Sequence, residues 1–303
     1  MSGDLAATLT ELEQERLAAF SKMKIWAAGA LALTAVVTTG FYFSGNELWT
    51  WITPALGGCV VAAICFYLVG KVKDDFKQKV MPILVRGIDP SLIYDMKRYV
   101  SEGEFQAAGL FARPDRYNGK DFVEGLIGET AVRFSLVHAE EEYTEVETDS
   151  NGKTRTVQKY RTIFQGLFFI ADFNKHFTAQ TKIEPHGVNF IDKMFGSHVE
   201  LEDPDFNKHF SVSSSDQVEA RYILTPAFMQ RLMALHEKVG TFRTAFAYEH
   251  MFMAIAMRDD VFAPSVRHSL AESGQVEKIL AKLKSITGIV EDLGLNVRIW
   301  TKE

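Results

Sequence analysis

The hexapeptide Asp172-Phe173-Asn174-Lys175-His176-Phe177 returns, residue for residue, as Asp205-Phe206-Asn207-Lys208-His209-Phe210. Each copy sets a carboxylate and an imidazole at i and i+4, a spacing that puts both on one face of a helix and suits a transition metal. Asp172, His176, Asp205 and His209 are therefore the candidate metal ligands. Two ligands per copy do not make a cage, so both copies would have to converge. The structural reading competes with this one. Asn-Lys favours a turn, and two Phe around three polar residues suit a strand that leaves the core, turns and re-enters it. On that reading, which is the expectation, Phe173, Phe177, Phe206 and Phe210 are buried. Lys175 and Lys208 reach water, because an unpaired buried ammonium is costly.

Other chemistry is sparse. The chain holds neither GxxxxGK[ST] nor GxGxxG, no GxSxG elbow and no HExxH. His138, His186, His198, His236, His250 and His268 are scattered singly. Ser213-Ser214-Ser215 reads as a strand end, and Glu140-Glu141-Glu142 as a solvated strand edge. No catalytic residue and no cofactor is assigned.

Two apolar stretches organise the chain. Ile25 to Asn46 and Leu48 to Gly70 carry no charge, and only Glu47 separates them. As helices they are roughly 33–35 Å long, enough for a ~30 Å hydrocarbon core. Trp26, Tyr42, Phe43, Trp49 and Trp51 lie near their ends, where amphipathic rings favour the headgroup level. Arg16, Lys22 and Lys24 precede the first span, and Lys71, Lys73, Lys77 and Lys79 follow the second. Ser44-Gly45-Asn46-Glu47 has no basic residue, so both termini are expected in the cytoplasm. The spans hold no Asp, Glu, Lys, Arg or His, which argues against a pump or transporter and for an anchor. Gly58 and Ala62 have the small-xxx-small spacing of a helix contact.

With 303 residues, about 230 follow the anchor, enough for one large domain or two small ones. A net charge of −6 gives no basic footprint for nucleic acid. Cys59 and Cys65 lie inside the second span, too far apart for a disulfide.

The rest reads as α+β. Residues 1–24 form a lead-in helix, with Thr10 and Glu13 as a capping box, and 25–70 the hairpin. Val72, Phe76 and Val80 continue the second helix into a short antiparallel stalk that Pro82 stops. In a juxtamembrane helical region, 71–119, Asp89-Pro90-Ser91 starts a helix with Leu92, Ile93, Met96, Tyr99 and Val100 on its apolar face. Residues 113–120 form a loop, and 120–303 a mainly antiparallel sheet domain with packing helices. Asn151-Gly152 marks a two-residue hairpin turn, which places Val146 opposite Val157, Tyr143 opposite Tyr160 and Glu142 opposite Arg161. Ile163 to Phe173 reads as a central strand. Asp216 and Glu219 form a capping box, and Thr225-Pro226 opens a helix that Gly240 ends. Two strands turn at Tyr248 to His250, a last helix runs from about Gly274 to Leu293, and Val297 to Trp300 adds an edge strand.

Gly166-Leu167-Phe168-Phe169 with Asp172-Phe173-Asn174-Lys175, then Val199-Glu200-Leu201-Glu202-Asp203-Pro204, then Val218-Glu219-Ala220-Arg221-Tyr222-Ile223-Leu224-Thr225-Pro226, resemble the bacterial family known as domain of unknown function 3137. The resemblance implies two N-terminal spans and a cytoplasmic α+β domain. It also implies a LemA-type membrane protein as partner, because members are often encoded beside one. It carries no catalytic residues over. The expected function is a membrane-anchored interaction or scaffold protein of the bacterial inner membrane, binding another protein or itself. The alternatives are a tethered metal-dependent enzyme and a lipid-binding module.

Overall fold

The computed structural model describes residues 2–148, 154–173, 177–187, 197–271 and 274–295. Two compact units make up the chain: Met1–Leu84 with Val261–Lys282, and Val85–Asp260 with Leu283–Glu303.

In the first unit, α1 (Ser2–Phe43) and α2 (Glu47–Lys79) run antiparallel. The lead-in and the first span are one continuous helix. Thr10 is therefore no cap: it lies inside α1, and its hydroxyl donates to the Ala6 carbonyl. Both helices are long and apolar enough to cross a membrane. Their outward side chains match, with Phe43, Trp51 and Phe66 each more than 80% exposed. The helices meet at Gly57, where a Cβ would collide with Thr34, and the Thr38 and Thr53 hydroxyls bond at 2.7 Å. Gly58 and Ala62 face outward instead, because one residue along a helix turns the side chain by about 100°. The stalk is present: Leu12, Val72, Phe76 and Val80 are buried, and Lys79 bridges Glu11 and Glu15 at 3.0 Å each. Pro82 sits in the first turn of α3 (Met81–Ile88), where its missing N–H is harmless. Segment 261–271 lies on the stalk through Phe262, Val266 and Leu270. Glu13 accepts the Leu270 amide at 2.9 Å, and Arg16 donates to the Val266 carbonyl at 3.2 Å.

Among the described residues the second unit holds a nine-stranded antiparallel sheet. In chain order come β1 (Ile93–Asp95), α4 (Glu102–Ala107), β2 (Arg116–Ile127), β3 (Thr130–Thr148), β4 (Thr154–Asp172), β5 (Thr181–Pro185), β6 (Ser197–His198), α5 (Pro204–His209), β7 (Phe210–Ser214), α6 (Gln217–Ile223), α7 (Pro226–Val239), β8 (Phe242–Ala247) and β9 (His250–Ala256). Helices α8 (Gln275–Thr287) and α9 (Ile289–Asp292) follow in the sequence. The spatial order is β1-β2-β3-β4-β9-β8-β5-β7-β6. Strand β4 is central, as expected, and alternation gives it two buried faces. Phe164 and Phe168 meet Phe105 of α4 on one face, while Phe169 packs on Phe134 on the other. The edge strands β1 and β6 are three and two residues long, which leaves little edge for unwanted pairing.

Several expectations need correction. No helix runs from Ser91 to Gly103. The 3–4 spacing of its apolar residues is met instead by strand β1, which pairs Ile93–Asp95 with Phe122–Glu124. The Asp95 carboxylate then takes the Lys97 and Arg98 amides and ends the strand. Strand β2 begins at Arg116, inside the expected loop. The last helix breaks at Gly288 into α8 and α9. Asp216 caps α6, but Glu219 does not reach back to it. Its carboxylate accepts the Thr178 and Ala179 amides at 3.2 and 2.7 Å.

The hairpin register is also different. Val146 faces Thr156, Glu145 faces Val157, Tyr143 faces Lys159 and Glu142 faces Tyr160. The inner half, from Val132↔Ala171 to Ala139↔Phe164, keeps the alignment a two-residue turn would set. A bulge at Ile163 then shifts the outer half by one residue, since Glu140 pairs with Thr162. Asn151-Gly152 and Val297 to Trp300 lie outside the described residues.

Candidate functional site

The repeated hexapeptide does not build the same local structure twice. In the second copy Asp203 caps α5, accepting the Asp205 and Phe206 amides, so Asp205 to His209 is helical rather than a strand turn. In the first copy Asp172 ends β4; Asn174, Lys175 and His176 lie outside the described residues. What the copies share is their rings. Phe173, Phe177, Phe206 and Phe210 are all buried, as the spacing predicts. The Phe173 and Phe177 rings pack at a tilt with centroids 5.2 Å apart, and those of Phe206 and Phe210 likewise at 5.0 Å. The first pair meets Phe246 of β8 and Phe228 of α7; the second meets Phe242 of β8 and His236 of α7. Lys208 points to water and pairs with Asp205 at 2.7 Å.

Of the candidate metal ligands, Asp205 and His209 are engaged locally. The Asp205 carboxylate holds Lys208, and that ion pair keeps its pKa below the usual carboxylate range. His209 Nδ1 lies 3.0 Å from the Asp205 carbonyl. Among the described residues no three metal-ligating side chains gather.

Asp172 belongs to a charged corner that sequence spacing does not reveal. It stands opposite His250 in the β4–β9 ladder. Arg133 donates to Glu104 at 2.6 Å, and Glu104 also closes the capping box of α4 with Ser101. Burial pushes the His250 pKa down, and Arg133 adds to this; Asp172, Glu249 and Glu104 oppose it without winning. The imidazole is buried at Nδ1, with no hydrogen bond there among the described residues. A neutral ring beside a carboxylate can accept a proton, so this corner is where acid–base chemistry would be sought.

A second feature lies at the far end of the same strands. At the bulge of β2, Asp121 takes a left-handed backbone (φ 63°) and is fully buried, accepting the Tyr94 hydroxyl at 2.5 Å. Burial, with Asp121 close by, raises the Tyr94 pKa well above the usual phenol range. Beside it Lys120 pairs with Asp260 at 2.7 Å across the mouth of a cleft of about 290 Å³, lined also by His138, Gln165 and Arg258. Gly119 and Gly166 also line it, at positions where a Cβ would strike the Leu136 and Ile255 backbone oxygens. Of this set only His138 stood out in the sequence, as an isolated histidine. The bulge that assembles the rest carries no sequence signature.

Beyond Glu140 and Thr162, β3 and β4 leave the sheet, since β2 stops at Arg116↔Glu140 and β9 at Ala256↔Gly166. They continue as a two-stranded ribbon roughly 27 Å long. Its faces differ. One is a charge ladder: Glu141 with Arg161, Lys159 with Glu145 and Glu147 at 2.7 and 2.8 Å, and Arg155 with Glu147 at 3.2 Å. The other carries Thr144, Val146, Thr156 and Gln158, with Val146 65% exposed, and at its base Tyr160, whose hydroxyl donates to Glu142 at 3.0 Å and whose ring Arg116 covers.

Residues 162–295 match the family described as protein of unknown function (DUF3137). Over those residues the chain is similar to that family. The DUF3137 segment begins at the Ile163 bulge and contains both hexapeptides, α7 and β8, whereas β1–β3 and both strands of the ribbon precede it. No curated protein matches the sequence. Among solved structures, the mycobacterial trehalose monomycolate transport factor A, TtfA, is similar, with 9% identity, 69% of this chain and 92% of that chain covered, and a TM-score of 0.38.

Proposed function

We propose that α1 and α2 anchor this protein in the bacterial inner membrane, that both termini and the sheet unit are cytoplasmic, and that the sheet unit binds another protein through the β3–β4 ribbon. The exposed apolar surface of the helix pair supports the anchor, because a bare surface of that kind needs lipid or protein cover. Lysines on both outer flanks, and none in the link, support the orientation. The ribbon is the observation that carries the binding role. A ribbon without neighbours is poorly stable by itself. Here one face engages its charges with each other, while the opposite face, beyond Glu142 and Tyr160 at its base, offers Val146 with the neutral Thr144, Thr156 and Gln158. A LemA-type membrane protein is the partner to test first.

A photo-crosslinking amino acid at Val146 should give one discrete adduct in cells co-expressing that partner, and at Arg155 none. No adduct at Val146, with any protein, removes the ribbon from the proposal. Alkaline phosphatase fused after Gly70 should be inactive and green fluorescent protein there fluorescent; the opposite pattern reverses the orientation.

A further inference from the structure

Within the first unit, α1 and α2 line a groove of about 210 Å³ at the end of the charge-free stretches. We propose that this groove holds the headgroup of a zwitterionic aminophospholipid, with phosphatidylethanolamine as the probe. The inference rests on the reading that the two helices span the bilayer.

The order of charges along the groove carries the argument. Leu68, Lys71, Val72 and Asp75 line one wall, and Leu12, Glu15, Ala18, Ala19 and Lys22 the other. Leu68 to Asp75 and Glu15 to Lys22 are each i,i+7 steps, so each wall is a single helical face. The alignment set by Thr34 against Gly57 and Thr38 against Thr53, carried toward the stalk, puts Lys22 level with Val69 and Glu15 level with Phe76. The groove therefore presents three layers. Apolar Leu68 lies at the bilayer edge, two cations, Lys22 and Lys71, come next, and two carboxylates, Asp75 and Glu15, lie further out. Lys71 and Asp75 are about 6 Å apart along the axis.

A glycerophospholipid offers the matching sequence. Its acyl chains meet the apolar layer, its phosphate follows, and in an ethanolamine lipid the ammonium lies outermost. The phosphate then falls between the lysines and the ammonium at the carboxylates. Glu15 is shared with Lys79, so Asp75 is the principal acceptor. A choline headgroup has the same charges but no N–H to donate. A glycerol headgroup brings no cation to Asp75. Lysines that served only to fix topology would not distinguish these lipids.

The test is native mass spectrometry of the full-length protein in detergent, with phosphatidylethanolamine, phosphatidylcholine and phosphatidylglycerol of identical acyl chains. Ethanolamine lipid should be retained about tenfold better than choline lipid, the size of one charge-assisted hydrogen bond net of water. Asp75→Asn should erase that preference while leaving glycerol lipid bound, and Lys22→Ala with Lys71→Ala should weaken all three. Equal retention of ethanolamine and choline lipids by the wild type overturns the proposal, as does a preference that survives Asp75→Asn. Alkaline carbonate extraction separates the two readings. Protein that stays in the membrane pellet without lipid preference defeats this inference alone, whereas protein released to the supernatant defeats the anchor itself.

Discussion

Phe228 and His236 stand about two turns apart on α7, and each closes over one Phe pair of the repeated hexapeptide, Phe173 at 6.1 Å from Phe228 and Phe210 at 5.3 Å from His236. Phe246 and Phe242, one above the other on the same face of β8, complete the two clusters. The duplication thus supplies matching aromatic clamps to a single helix–strand pair, although one copy ends a strand and the other is a helix.

Removing one clamp should be costly. Phe206 is fully buried, so Phe206→Ala should destabilise the sheet unit by roughly 3–5 kcal/mol. Asp205→Ala, at a side chain 80% exposed, should leave the unfolding midpoint close to that of wild type. Urea unfolding of the detergent-solubilised protein, followed by near-ultraviolet circular dichroism, checks both. Equal effects would mean that the rings do not hold α7.

Burial in these clamps was legible because it depends on residue type and spacing alone: two Phe four apart need cover in a strand turn or in a helix. Secondary structure in the second copy was not, because Asp203, outside the repeat, decides it by capping α5. Leu92 to Val100 shows the same limit. Their spacing fits a helix, and what overrides it is pairing with β2 and the Asp95 turn, both set by distant residues or by side-chain chemistry that periodicity does not see. The corner at His250 and the cleft at Lys120 were illegible for a related reason. Strand pairing brings Asp172 to His250 across some eighty residues, and a bulge turns Lys120 toward Asp260.

The bulge at Ile163 makes a covalent prediction. Glu145 and Val157 are directly opposed, so their Cβ atoms are about 5 Å apart on one face. Val146 and Val157 point to opposite faces. With Cys59 and Cys65 changed to Ser, Glu145→Cys with Val157→Cys should oxidise to an intramolecular disulfide, and Val146→Cys with Val157→Cys should not. Gel mobility without reductant reads the result, and the reverse outcome restores the register of a two-residue turn.

Close approach of the helix pair rests on one glycine. Gly57→Val should force Thr34 away and separate the helices, whereas Gly58→Val, with nothing within 4 Å of its added Cβ, should be silent. Cysteines at Thr38 and Thr53, whose hydroxyls bond at 2.7 Å, report the separation through cross-linking yield. The yield should fall several-fold with Gly57→Val and stay unchanged with Gly58→Val; equal yields would place the contact elsewhere.

The His250 corner predicts a pH dependence with a definite sign. In the folded chain burial and Arg133 lower the His250 pKa from its ordinary 6.5, while Asp172, Glu249 and Glu104 pull the other way. In the unfolded chain the ring is free of all of them. Between the lowered folded pKa and about 6.5, the unfolded state therefore binds more protons than the folded state, and stability rises with pH. Above that window the imidazole is neutral in both states and contributes no slope. As pH falls through it, the unfolded chain takes up the proton first and the sheet unit loses stability. His250→Gln keeps a neutral polar group and removes the titration, so its urea midpoint should be flatter than wild type between pH 5 and 6.5 and parallel to it from pH 7 to 8. Glu104→Gln tests the surroundings independently. It takes away a carboxylate that favours the charged ring and frees Arg133, which disfavours it, so the slope between pH 5 and 6.5 should steepen. A wild-type midpoint that does not fall from pH 6.5 to 5, or an unchanged slope in His250→Gln, would show that this histidine is not the group that titrates.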